Sequence, residues 1–302
     1  MATTTIKLSK LLEPQRNKIE NINSTRNSRI TEKIFDKDAQ LLFNNLKKNL
    51  YDPEIQINQN LKKKIIVISH ERSGTHFLMN AIAYNSDYSV SPFIPCAGST
   101  GINFFNKDGM KEFFSIFKNI KISNIYKSHH HFNFLKKNLD ELKDDYFFLY
   151  IYRDPRDVFY SFWNFLKTFP DTGPLANTIS EFLTKKPEGK MLQFQTKHYE
   201  NILERWEDHI NCWVLNEDKE IKENIKFIKY EDLNKNYNTT LKEIFDYLEI
   251  KLLSNIKPSA TQNVLVPGRG KIGTYKFFLN NKDLNFIDKK IGETMKKLNY
   301  NL

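Results

Sequence analysis

Ile65 to Ile68 is an unbroken β-branched apolar run, followed by the small and polar stretch Ser69 to His76 and then by Phe77 to Tyr84, whose composition reads as helix. A short continuous run of this kind predicts a parallel strand buried on both faces. A second unit repeats the pattern. Tyr146 to Tyr152 is the strand, Arg153 to Asp157 the turn, and Val158, Ser161, Phe162 and Phe165 lie on the helix, with Asp154 as N-cap and Pro155 as first helical residue. Ile122 to Tyr126 is a further strand running into Lys127, Ser128 and His129. Gln193 to Val214 reads as one long helix around Trp206, Asn224 to Tyr230 as a strand, and Thr240 to Leu248 as a helix with a Thr240/Glu243 capping box. Strands alternating with helices predict an α/β fold, a parallel sheet flanked by helices, with ligands beyond the carboxyl ends of the strands. Residues 1–28 are polar and aperiodic, a flexible N-terminal arm, and residues 29–60 form a helical lead-in with Ile30, Ile34, Leu41, Leu42 and Leu46 on one face. Residues 61–302 are expected to form a single domain.

Composition narrows the class. The 302 residues, 40% hydrophobic and 14% aromatic, suffice for a sizeable core and exclude general disorder. A net charge of +10 favours anionic partners. Lysine runs such as Lys62, Lys63 and Lys64 or Lys185 to Lys190 read as solvated faces, so charge alone does not argue for nucleic acid. Cys96 and Cys212 have neither disulfide-framework nor metal-type spacing, which fits a reducing compartment. The first residues lack a signal-like apolar run and the longest apolar stretch, Tyr146 to Tyr152, is too short to span a bilayer. A soluble, cytoplasmic protein is the expectation.

The first turn occupies a P-loop's position without its letters, because no Lys follows Gly74. This disfavours an ATPase or kinase-like P-loop enzyme. Arg72, Ser73, Gly74 and Thr75 at a helix start still suit an anion: Gly74 permits close backbone approach, the hydroxyls offer hydrogen bonds, and Arg72 supplies charge. Arg153 ends the second strand and Ser161 lies eight residues on, about two helical turns, so both are able to reach one phosphate. Asp154 and Asp157 are expected to serve the helix N-terminus, and a salt bridge from Arg153 to one of them is the competing structural role.

Together, four ordered blocks resemble the sulfotransferases that use 3'-phosphoadenosine 5'-phosphosulfate (PAPS). They are Ser69 to Leu78, Lys127 to His129, Arg153 to Phe165 and Arg269 to Gly273, with Tyr230 to Leu233 similar to a Tyr-Glu-Asp-Leu segment of that family. The resemblance implies a three-layer, P-loop-like fold. It also implies that Ser73, Gly74, Thr75 and His76 cradle the 5'-phosphate, that Phe77 and Tyr230 lie near the adenine, and that Arg153, Ser161, Arg269 and Gly270 hold the 3'-phosphate. His129 would be the general base, with Arg72 and Lys127 as further catalytic groups. PAPS would be the co-substrate, without a metal. A neutral imidazole suits proton abstraction near neutral pH, and a fixed cation stabilises charge growing on the leaving oxygen.

The chain departs from the family pattern where Arg72 replaces a lysine and where Gly268, Arg269 and Gly270 stand for Arg-Lys-Gly. Gly268, Gly270 and Gly273 match a dinucleotide fingerprint, but the 29 residues after it are too few for the rest of such a unit. His129, His130 and His131 resemble a metal cluster, yet neighbours on a strand face opposite ways and no carboxylate or cysteine stands at ligand spacing; the register leaves His129 or His131 as base. The acceptor, a small molecule, carbohydrate or lipid, is expected to meet the segments 91–105 and 169–189, read as a partly apolar lid. The absence of the family's short dimer motif after Lys276 leans towards a monomer. A basic module binding nucleic acid or sulfated polysaccharide is the non-catalytic alternative, with steep salt dependence.

Overall fold

The computed structural model describes residues 63–90, 124–218, 223–258 and 270–300. The proposed N-terminal arm and helical lead-in, the 91–105 segment, Cys96 and Arg269 lie outside these described residues.

Five parallel strands form one sheet in the order β2-β3-β1-β4-β5. They are β1 (Lys64–Ile68), β2 (Ser89–Val90), β3 (Asn124–Ser128), β4 (Tyr146–Tyr152) and β5 (Ile225–Lys229). Strand β1 is central, with Ile68 level with Ser128 of β3 and with Tyr150 of β4. The loops after these strands therefore meet at one end of the sheet, where the order of connections reverses across β1. Of the expected strand Ile122 to Tyr126, residues 122 and 123 lie outside the described residues, and β3 runs on past Tyr126 to Ser128.

Alternation along each strand builds two cores. Ile66, Ile68, Tyr126, Phe148 and Tyr150 face α2 (Phe132–Leu142), α3 (Pro155–Leu166), α4 (Ile179–Thr184), α5 (Ile202–Trp213) and α8 (Asn281–Lys297). Ile65, Val67, Ile125, Leu149 and Ile151 face α1 (Thr75–Asn85) and α7 (Tyr237–Tyr247), which α6 (Tyr230–Lys235) precedes. This is the expected three-layer α/β arrangement. No described helix is long and apolar enough to cross a membrane.

Four local expectations change. The stretch from Gln193 to Val214 is not one helix: a 3-10 turn, Gly189–Phe194, ends before Gln195, and α5 starts only at Ile202, where Asn201 caps it. Thr240 does not open a helix, since its N–H donates to Asn236 O inside α7. The capping box is instead formed by Asn280 and Asp283 at the start of α8. Lys64 belongs to no solvated face; it is buried in β1, and desolvation, offset in part by Asp145, lowers its pKa to about 8.

The reassigned cap predicts a contrast in urea unfolding. Asn280→Ala should cost about 1 kcal/mol, whereas Thr240→Ala should change stability by less than about 0.5 kcal/mol.

Candidate active site

The site begins with backbone conformation. Gly74 precedes α1 at φ 104°, a value that disfavours any side chain, and a Cβ there would lie 2.3 Å from Tyr230 Cδ2. Helix α1 starts two residues before the expected Phe77, so Thr75, His76 and Phe77 form its first turn. Their N–H groups precede the first intrahelical bond, Leu78 N–H to Gly74 O, and point out of the helix end. Arg72 is also left-handed, at φ 66°, a strained state for a residue with a Cβ.

Around this turn the structure gathers the predicted residues. Arg153, at the end of β4, donates from Nη2 to Lys271 O at 2.8 Å and to Asp157 at 3.2 Å, and its guanidinium stacks 4.4 Å from the Tyr230 ring centre. The Tyr230 hydroxyl donates to Gly270 O at 2.7 Å, and its ring meets Phe77 edge-on. Arg72 donates from Nε to Ser161 Oγ at 3.1 Å and stacks on Phe165. Burial, and secondarily the neighbouring Arg153, lowers the Arg72 pKa to about 10. Two guanidinium groups thus lie around the N-terminal end of α1.

Asp154 caps α3 as expected, accepting from Arg156 N at 2.9 Å. Asp157 has a different role from the one expected: fully buried, it accepts from Gly273 N at 2.8 Å and Tyr275 N at 3.0 Å, holding the C-terminal loop against Arg153. The salt bridge foreseen for Arg153 therefore forms within the site.

At the end of β3 the histidines leave the strand, which stops at Ser128, so the opposite-faces argument does not apply to them. They nevertheless diverge. His131 Nδ1 accepts from Asn133 N as the cap of α2, and His130 Nδ1 lies 3.2 Å from Ser128 Oγ. His129 Nδ1 lies 2.9 Å from Ser69 O, a pure acceptor, so the proton resides on Nδ1 and Nε2 is the basic nitrogen. Burial and then the Lys127 charge lower the His129 pKa to about 3, against the opposing pull of Glu71. Lys127 Nζ donates to His76 Nε2 at 3.3 Å. Thr75 Oγ1 is engaged with Ser69 Oγ at 2.7 Å.

A phosphate cradle requires unmet donors, and two are present. Ser73 Oγ and Arg153 Nε are among the buried polar side-chain atoms that have no hydrogen-bond partner among the described residues. Such orphans are costly unless a ligand satisfies them. They belong to two of the residues that the family resemblance assigns to the 5'- and 3'-phosphates.

Residues that the sequence reading did not single out complete the surroundings. Arg205 of α5 binds Glu71 through both guanidinium nitrogens at 2.7 and 2.9 Å, and His209 one turn on reaches His129 O at 3.2 Å. Their i,i+4 spacing on either side of buried Trp206 was the available signal.

The fold is an α/β sheet with cationic side chains and a helix N-terminus gathered where its strands end. Residues 62–299 match the sulfotransferase domain, and the chain belongs to that family. An amine sulfotransferase of Oryctolagus cuniculus is 30% identical over 101 residues, covering 33% of this chain and 29% of that protein. Sulfotransferase 6B1 of Mus musculus is 29% identical over 161 residues, covering 51% of this chain and 48% of its own length. The chain thus spans about half or less of these curated relatives. A mouse sulfotransferase crystallised with PAP is similar in fold, with a TM-score of 0.54 at 18% identity over 83% of this chain and 89% of the other.

Neutral buried histidines make stability depend on pH. Burial is the leading cause that holds His70 at about 4, His129 at about 3, and His209 well below 6.5. In the unfolded chain each takes up a proton near pH 6.5, so between there and about pH 4 the unfolded state binds more protons and stability is lost as the pH is lowered. Each such histidine contributes a slope of up to about 1.4 kcal/mol per pH unit. The urea midpoint should therefore drop between pH 7.5 and pH 5.5; an unchanged midpoint would contradict the buried neutral assignment.

Proposed function

We propose that the protein transfers a sulfuryl group from PAPS to a hydroxyl or amine acceptor, with His129 as general base. The observation that supports this most directly is the pair of orphaned donors, Ser73 Oγ and Arg153 Nε, flanking the open first turn of α1. When bound, PAPS supplies an electrophilic sulfur and a phosphate leaving group.

The chain's residues divide the work. Ser73, Gly74, Thr75, His76 and the first-turn N–H groups bind the 5'-phosphate at the positive end of the helix. Arg153 and Ser161 hold the 3'-phosphate, and Asp157 keeps the Lys271 to Tyr275 backbone closed over Arg153. By the family resemblance, Arg269 and Gly270 bind the same phosphate. Phe77 and Tyr230, in contact with each other, form the aromatic wall for adenine.

His129 receives the acceptor's proton at Nε2 while Ser69 O retains Nδ1–H, which fixes the ring's orientation. With His129 at about 3, its basicity is low unless negative charge is brought close. Lys127 and Arg72 would hold an anionic group near His129, and its charge would favour the imidazolium. Arg72 and Lys127 in turn offset charge that develops on the leaving oxygen. Orientation and electrostatics of this kind, rather than a covalent enzyme intermediate, carry the reaction. We place the protein in the cytoplasm, with a small-molecule, carbohydrate or lipid acceptor and no nucleic-acid role.

Calorimetric titration with PAP, ATP and AMP tests the reading without knowledge of the acceptor. Saturable binding should be strongest for PAP and should weaken in Arg153→Ala by about tenfold or more, at least about 1.4 kcal/mol. Equal affinity for PAP and AMP would refute the 3'-phosphate site, and a steep salt dependence of polyanion binding in its place would favour the basic-module alternative.

A further inference from the structure

Helix α5 reaches both halves of the site from behind. Arg205 and His209 lie on one face of it, one turn apart, each only 2% exposed. Toward the donor loop, Arg205 grips the Glu71 carboxylate with two nitrogens and donates to His70 Nε2 at 2.9 Å, while His70 Nδ1–H closes back on Glu71 O at 3.0 Å. The next residue is Arg72, held at φ 66°. Toward the base, His209 Nε2–H donates to His129 O at 3.2 Å, and Tyr150 O–H donates to His209 Nδ1 at 2.7 Å, which fixes the tautomer that makes the first bond possible. One turn further, Trp213 Nε1–H donates to His130 O at 3.1 Å.

Packing alone does not call for these groups. A buried ion pair contributes little net stability over apolar residues of the same volume, and its best-attested use is to fix one geometry among several. Here the polar contacts fall beside Arg72 on one loop and on the backbone of His129 on the other.

We propose that α5 is a brace that sets the position of His129 relative to Arg72, with His209 and Arg205 as positioning residues for the base and for the donor loop. This inference rests on the reading of Arg72 and His129 given above. Neither positioning residue touches the reacting atoms. His209 governs the orientation of the His129 ring through the backbone that carries it. Arg205 governs phosphate binding through the backbone between Glu71 and Arg72. The two effects are separable because the two contacts leave the helix one turn apart.

The test uses the full chain with 15N-labelled histidine, reading imidazole tautomers by two-bond 15N–1H correlation, alongside PAP calorimetry. In the parent protein His129 should show the Nδ1–H tautomer alone. His209→Phe, which keeps a ring but no donor, should turn the His129 signals into a mixture, and His209→Gln, which retains an N–H at that position, should restore the single form. Both should bind PAP within about threefold of the parent, about 0.65 kcal/mol. If His209→Phe fails to fold, Tyr150→Phe removes only the hydroxyl that fixes the His209 tautomer and should produce the same mixture. The paired change Glu71→Leu with Arg205→Met removes both charges at similar volume and should weaken PAP binding about tenfold. An unchanged His129 tautomer in His209→Phe or Tyr150→Phe would overturn the role of His209, and PAP affinity within twofold of the parent in the paired variant would overturn that of Arg205. Failure of the parent to bind PAP would instead strike at the sulfotransfer reading, leaving the tautomer result to judge the brace separately.

Discussion

Tyr230 lies against Gly74 so closely that no side chain fits between them, and the rest of the site is arranged around that contact. The ring supports the Arg153 guanidinium, its hydroxyl anchors Gly270 O, and its edge meets Phe77. One aromatic residue at the end of β5 therefore joins the turn after β1, the end of β4 and the C-terminal loop. The contact requires a glycine able to hold φ 104°, and that conformation opens the first turn of α1 towards an anion. Arg72 and Arg153, brought near each other with like charge, are then unfavourable neighbours until an anion joins them.

Much of this was legible in the residues. The β-branched run at Ile65 to Ile68 and the aromatic run at Tyr146 to Tyr152 identified the two central strands because a strand covered on both faces has no polar alternation to obscure it. Gly74 and Arg153 were legible from their places between a strand run and a helix, and Tyr230 through the resemblance to a Tyr-Glu-Asp-Leu segment; the structure brings the three together. The start of α1 was less so, since Thr75 and His76 carry no strong helix signal and belong to the helix because the turn before them fixes its direction.

Other features depended on tertiary structure. The stretch from Gln193 to Val214 is apolar and periodic enough to read as one helix, but Arg205 draws Gln195 and Met191 back towards itself, and the chain turns before α5. Asp157 was expected to serve its own helix because a local partner is the simplest one for an acidic residue in a first turn. Its actual partners, Gly273 and Tyr275, are more than a hundred residues away. The Thr240/Glu243 spacing satisfied a local rule, yet α7 had already begun at Tyr237. The Glu71 to Arg205 pair was invisible for the same reason, as neither residue carries a mark of its partner.

In the proposed function, the donors gathered at the ends of β1 and β4 bind the two phosphate ends of one nucleotide. A crystal structure of the protein grown with PAP should show Ser73 Oγ within hydrogen-bond distance of the 5'-phosphate and Arg153 Nε within the same distance of the 3'-phosphate, with Tyr230 still against Gly74. A nucleotide seated elsewhere, or bound here with both atoms still unpartnered, would overturn that function.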